Sequence, residues 1–402
     1  MKLKKILIFT CITGVVHAGP QQWKEECVGY YKIQVPVNLE VALYPLDGLL
    51  NTERKPPYDG RDMGYFWPII TFGDYYGVGE QTDTSVQSQF SMFHYANYEI
   101  SVSTNSKEAV DINKYKEKIE EILRVNYEAR KVRLKEENPE MAIPENKTGV
   151  KSTYKIKQYS DAFSIYQSKY FELHFNRANR LYIFRPDTVP LLANKTLTAD
   201  EAAPIVEPTV QSLVKRFRPR ELYEVPPEQG FCLPYGFIAG DSGQESHDMG
   251  VTYRLIDHPD VTIFFQDMGI NEEIHSDEGS MKEAVTAMWN THYLMGAGKK
   301  ELLSPKWQKI EMDGREGIGT FVKATYNNVP TYDYNGHVAE YHNYIDYGYL
   351  AYIRGDINTR NKEPGLLLYI SQDSSQVKDK PPMSKDELLE IATRITRSVT
   401  RR

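Results

Sequence analysis

Gly240-Asp-Ser-Gly243 sets a serine between an aspartate and two glycines, a pattern met where a serine attacks a carbonyl. Such a serine needs a neighbouring base. His247-Asp248 and His258-Pro-Asp260 could each supply half of a triad, but nothing marks either as its partner. Gln244-Glu245 does not continue a nucleophile loop, and the Gly-x-Ser-x-Gly elbow is absent. The segment therefore reads as a polar turn between two strands, with an exported hydrolase using Ser242 kept as the alternative. His337 and His342 lie five residues apart, about 140° around an ideal helix, so they do not share a face as zinc ligands must. They read as surface histidines. Gly73, Gly77 and Gly79 do not match a dinucleotide fingerprint. Gly298-Lys299 lacks the earlier glycine of a phosphate loop, since Tyr293 stands there. No catalytic set, metal site or cofactor is expected.

Tyrosine is the abundant chemistry, with 29 in the chain and a dense group from Tyr326 to Tyr352. Its ring is an apolar body with a polar tip and orders at low entropic cost, which suits protein interfaces. Tyr347 and Tyr349 alternate as in a strand. Asn327 to Asn343 reads as a loop, and Tyr332, Asp333, Tyr334, Glu340, Tyr341 and Tyr344 are its candidate partner-binding residues. A solvated connection is the competing reading of the same loop.

The elements that position these residues follow from composition and pattern. The chain has 402 residues, and 55 acidic against 48 basic side chains give a net charge of −7, without the basic footprint that nucleic acid needs. Met1-Lys-Leu-Lys-Lys5 precedes an apolar run from Ile6 to Val16, too short to span a bilayer, and Val16-His-Ala18 ends it with small residues. This reads as a signal peptide cleaved after Ala18, so the mature chain is expected to be exported and not inserted in a membrane. Cys27 and Cys232 remain, in an oxidising compartment. They form either a single disulfide or two buried thiols.

The fold class expected is α+β: two tandem α+β domains, each a mostly antiparallel sheet with packed helices. The boundaries are a signal peptide at 1–18, a first domain at 19–220, a linker at 221–229 and a second domain at 230–402. A charged helix is expected over Asp111 to Glu137, with an apolar stripe at Ile112, Tyr115, Ile119, Ile122 and Leu123. Thr198-Ala-Asp-Glu201 and Ser384-Lys-Asp-Glu387 are capping boxes. The helices that they open are expected to end in basic tails, Lys215 to Arg220 and Arg394 to Arg402, against the negative end of the dipole. A further helix covers Met281 to Leu294. Each half thus runs from a cysteine-bearing strand to a capped helix.

Those two opening strands carry a resemblance. Cys27-Val-Gly-Tyr-Tyr31, followed by Val35-Pro36, resembles the start of the N-terminal domain of type VI secretion lipase immunity proteins. Gly230-Phe-Cys-Leu-Pro-Tyr-Gly-Phe-Ile238 resembles the start of that family's C-terminal domain. Tyr30 departs from the pattern, where a basic residue is expected. The resemblance covers essentially the whole mature chain. It implies a periplasmic protein that binds a cognate phospholipase effector and blocks it sterically, with two domains gripping the enzyme near its active-site entrance. It implies no catalytic residues and no cofactor. A cell-envelope binding protein without a toxin partner is a further alternative.

Overall fold

A computed structural model of the chain describes residues 22–50, 70–72, 91–137, 154–167, 171–186, 192, 197–269, 279–294, 296–332, 336–377 and 380–402. The signal segment 1–18, the glycines at 73, 77 and 79, and Asp333 and Tyr334 lie outside the described residues. The first half contains β1 (Trp23–Val28), β2 (Tyr31–Pro36), β3 (Leu39–Val41), α1 (Leu46–Leu50), β4 (Met92–Tyr95), β5 (Tyr98–Val102), α2 (Ile112–Glu137), β6 (Tyr154–Gln158), β7 (Ala162–Gln167), β8 (Phe171–Arg177), β9 (Arg180–Pro186), α3 (Ala199–Arg216) and β10 (Phe217–Pro219). The second contains β11 (Gly230–Leu233), β12 (Gly236–Ala239), β13 (His247–Leu255), β14 (Val261–Met268), α4 (Met281–Thr291), β15 (Lys299–Leu302), β16 (Gln308–Met312), β17 (Arg315–Tyr332), β18 (Val338–Ile353), β19 (Gly365–Gln372), α5 (Lys385–Ser398) and β20 (Thr400–Arg401).

The α+β expectation is borne out. One 14-stranded sheet runs in the order β15-β17-β18-β19-β14-β13-β4-β5-β9-β8-β7-β6, with β16 paired to β17 and β3 to β13. Its named strand pairs are antiparallel. Backbone pairing crosses the boundary expected at 221–229. His247 to Gly250 of β13 pair with Tyr95 to Met92 of β4, and β20 pairs with β2 at Tyr31↔Arg401 and Lys32↔Thr400.

Strands such as Val261–Met268 are buried at every position, because the sheet is covered on both faces. The largest core cluster lies on one side, with α3 and α5 packed into it through Val206, Val210, Leu388, Ile391 and Ile395. A second cluster lies under α4 around Trp289, and a third under α2 around Tyr115 and Ile119. The apolar stripe of α2 is used only through Leu123; Arg124 and Val125 are exposed.

Two helix ends differ from expectation. α3 stops at Arg216, where Phe217 takes extended backbone (φ −76°, ψ 133°) and the chain continues as β10. Pro219 supplies no amide to prolong a helix. Arg218 and Arg220 therefore leave the dipole and bind elsewhere. α5 stops at Ser398, and Thr400–Arg401 form a strand. Both capping boxes close as expected, and Ser280-Met-Lys-Glu283 makes a third at the start of α4.

Candidate functional site

Two places gather the chemistry-bearing residues: a polar junction between the opening strands of the two halves, and a long ribbon made by β17 and β18. At the junction, Cys27 of β1 and Cys232 of β11 are joined in a buried disulfide with Cα atoms 5.8 Å apart. Beside it, Gly29 and Cys232 exchange two backbone hydrogen bonds of 3.0 Å. Gly29 has φ +58°, and a Cβ there would stand 2.5 Å from Oδ2 of Asp267, so this turn requires glycine.

Asp267 sits inside a fully buried strand and organises what surrounds it. Its Oδ2 accepts the amide of Tyr30 at 3.0 Å, and its Oδ1 faces Nε2 of His247 at 2.7 Å. Nδ1 of His247 faces the carbonyl of Glu245, also at 2.7 Å. Both ring nitrogens meet acceptors, a setting that favours the doubly protonated ring. Burial opposes that charge, but the Asp267 carboxylate outweighs it and holds His247 above the usual imidazole range.

The Gly240–Gly243 segment is a turn between β12 and β13. Ser242 Oγ donates to Oε1 of Glu245 at 3.0 Å, and Gly243 donates its amide to Asp241. His247, with both nitrogens engaged and no exposure, is not available to Ser242 as a base. Tyr30, the departure from the expected pattern, reaches both acids: its hydroxyl lies 2.9 Å from Asp241 and 2.8 Å from Glu245. A phenol has one hydrogen to give. Burial raises the Asp241 carboxyl, while Glu245, against its own burial, is held low by the Ser242 amide and the Tyr30 phenol. The one phenolic hydrogen serves one of these two acids at a time.

Arg220 lies on the other side of the disulfide. It donates to Glu26 and to the carbonyls of Cys27, Leu233, Glu221 and Glu224. The segment 221–229 is thereby fastened, with Arg218 pairing to Glu224 and Glu228 as well. Arg401 donates to the carbonyls of Gly243, Asn361 and Lys362. Arg402 donates to those of Gly230, Pro226 and Glu228 and to Sγ of Cys232. These contacts frame a cleft of about 770 Å³ lined by Tyr30, Pro226, Gly230, Ser242, Arg401 and Arg402. Among the described residues no group of three or more His, Cys, Asp and Glu side chains is arranged to hold a metal ion.

The expected loop Asn327 to Asn343 is instead the outer part of a hairpin. β17 and β18 pair from Ile318↔Tyr352 to Tyr326↔Tyr344, shift register, and resume from Val329↔His342 to Tyr332↔Val338. The shift is taken up at Asn327 and Asn328, the latter at φ +53°, a conformation asparagine tolerates. Polarity hid these strands, since a ribbon projecting beyond β15 and β19 needs no apolar alternation.

The ribbon divides the candidate residues. Tyr341 is 60% exposed and pairs with Pro330; Ile345, 42% exposed, lies on the same face. Glu340, His342 and Tyr344 point to the other face. There Tyr344 stacks on Tyr326 at 4.6 Å and packs toward the α4 cluster, and His342 pairs with Glu340 at 3.5 Å. Tyr332 is the last residue of β17.

Sequence reasoning passed over Glu26, Arg220, Asp267 and the role of Tyr30. Their signal was charge inside apolar strands: Glu26 next to Cys27-Val28, and Asp267 at the end of Val261–Gln266. A charge in such a run must find a buried partner.

No curated protein matches the chain. A solved structure of the immunity protein TplEi of the type VI secretion system of Pseudomonas aeruginosa is 16% identical over 94% of this chain and 97% of that one, with a TM-score of 0.48. The solved Tle4–Tli4 complex is 15% identical over 94% and 97%, with a TM-score of 0.47. Residues 224–402 match the family model described as the Tle cognate immunity protein 4 C-terminal domain. That match likens the second half of the chain to the lipase immunity proteins of type VI secretion that its two opening strands resemble.

Proposed function

We propose that this protein is a periplasmic immunity protein that binds a cognate type VI secreted lipase or phospholipase and blocks it sterically, protecting the producing cell from its own effector. The observation that carries the proposal is the family match over residues 224–402. The match is to an immunity family, which is not an enzyme class, and the engagement of both His247 nitrogens supports a non-catalytic role for Ser242. The basic, apolar and small residues of 1–18 support export, with cleavage after Ala18. Among the described residues no helix is long and apolar enough to cross a membrane.

Units 19–220 and 230–402, joined through 221–229, present the binding surface together. Its contact residues include Tyr332, Asp333, Tyr334, Glu340, Tyr341 and Tyr344. Capture of partners from periplasmic extract on the tagged protein, followed by lipase assay, tests the reading. A stoichiometric lipase, silent in the complex and active once released, is the expected result. Full phospholipid turnover by the enzyme within a 1:1 complex would refute steric inhibition.

A further inference from the structure

We propose that formation of the Cys27–Cys232 disulfide is what docks Arg401 and Arg402, so that the cleft beside Tyr30 is completed only in the oxidised protein. This inference stands on the junction geometry alone and is independent of the immunity reading.

The docking contacts of Arg402 converge on the two segments that the disulfide joins. Its amide donates to the carbonyl of Tyr30 at 2.9 Å, three residues beyond Cys27. Its guanidinium donates to Gly230 and Cys232 on β11, and to Pro226 and Glu228 just before it. One arginine therefore bridges the β1–β2 turn and the 226–232 segment, the two segments that the cross-link joins. Arg401 works on the same joint. Its guanidinium lies over the rings of Tyr30 and Tyr31, at 5.2 and 5.7 Å, and donates to Gly243.

In the dithiol form the two sulfur atoms must separate from about 2 Å to more than about 3.5 Å. Cys27 and Cys232 are buried and pack against Phe237, so the separating sulfur atoms meet close neighbours. The movement acts on the adjacent Gly29 and Cys232 pair, whose two hydrogen bonds lie next to the bond. The carbonyl cage of Arg402 then loses one wall.

The oxidation uses a disulfide-bearing oxidant, RSSR. One cysteine thiolate attacks a sulfur of RSSR and expels RS⁻. The other thiolate attacks the mixed disulfide and expels a second RS⁻. Two thiols and one RSSR give one protein disulfide and two RSH.

Hydrogen exchange on the oxidised protein and on a Cys27→Ser/Cys232→Ser variant tests the coupling. In the variant the amides of Arg401 and Arg402 should exchange at least about ten-fold faster, while those of β14 and β19 change by less than about two-fold. Equal protection at Arg401 and Arg402 in both proteins would overturn the proposal. A second experiment covers a variant that does not fold. Coupling is reciprocal, so Arg402→Ala, with both cysteines kept, should shift the equilibrium with reduced and oxidised glutathione toward the dithiol by about ten-fold. An unchanged equilibrium would overturn it equally.

Discussion

Arg220 and Glu26, 194 residues apart in sequence, form an ion pair in which the side chains are 1% and 0% exposed. The pair is complete. Glu26 also accepts the amide of Tyr223, and the guanidinium spends its remaining hydrogens on four carbonyls. Removing one member strands the other charge away from water, which costs about 3–5 kcal/mol. Glu26→Ala and Arg220→Met should each lower unfolding stability by that order in urea titrations. The double variant should lose much less than the sum of the two.

Gly29→Ala should destabilise the protein by more than about 1–2 kcal/mol, the cost of left-handed backbone for an L-residue. The new methyl would also press on Asp267, 2.5 Å away in the unrelaxed geometry. The measurement is the same titration, with Gly314→Ala as control: Gly314 has φ +68° but open space around it. Gly29→Ala should be the worse of the two.

Stability should fall as pH rises from 5 to 8. Burial pushes the Asp248 and Asp346 carboxyls up to about 7 each, partly offset by hydrogen bonds from Gln266 and Ser374. The native state therefore binds their protons more tightly than the unfolded chain does. The stability they confer is complete below about pH 3.8 and is lost as pH climbs through 7. His247 acts in the same direction: its native value lies above the ordinary one, so its contribution is full below about pH 6.5 and disappears as pH passes that native value. The carboxyls held low, such as Glu245, lose their contribution only in acid below this window. Thermal melts at pH 5, 6, 7 and 8 should show the decline. Asp248→Asn with Asp346→Asn should flatten it.

The two faces of the ribbon should separate by experiment. Tyr341→Ala, on the exposed face, should leave unfolding stability within about 0.5 kcal/mol of the parent. Tyr344→Ala removes a stacked ring and should cost about 1 kcal/mol. If the ribbon grips the effector, Tyr341→Ala should also weaken capture of the lipase, measured by titration of the purified pair. Unchanged affinity would remove that face from the binding surface.

What was legible in the sequence was local. The capping boxes at Thr198 and Ser384 depend on contacts three residues apart, and both formed. The α+β class followed from alternation and helical stripes. The ends of α3 and α5 were misplaced because basic residues suit a helix terminus equally well as a buried fork for carbonyls, and only distant partners decide between them. The ribbon reads as a loop in the sequence because its strands satisfy one another rather than a core. The junction was the least legible part: Tyr30 meets Asp241, Glu245 and Asp267 across more than 200 positions, and no spacing rule reaches that far.

The pairing of Tyr31 with Arg401 has a consequence in time. A contact separated by 370 residues must overcome the entropy of closing a very long loop before any reward arrives. β2 gains its second neighbour only after residue 401 has been synthesised. Strands β3 and β4 likewise wait for β13. Until then β2 has only β1 beside it and β4 only β5, so this part of the fold is completed late.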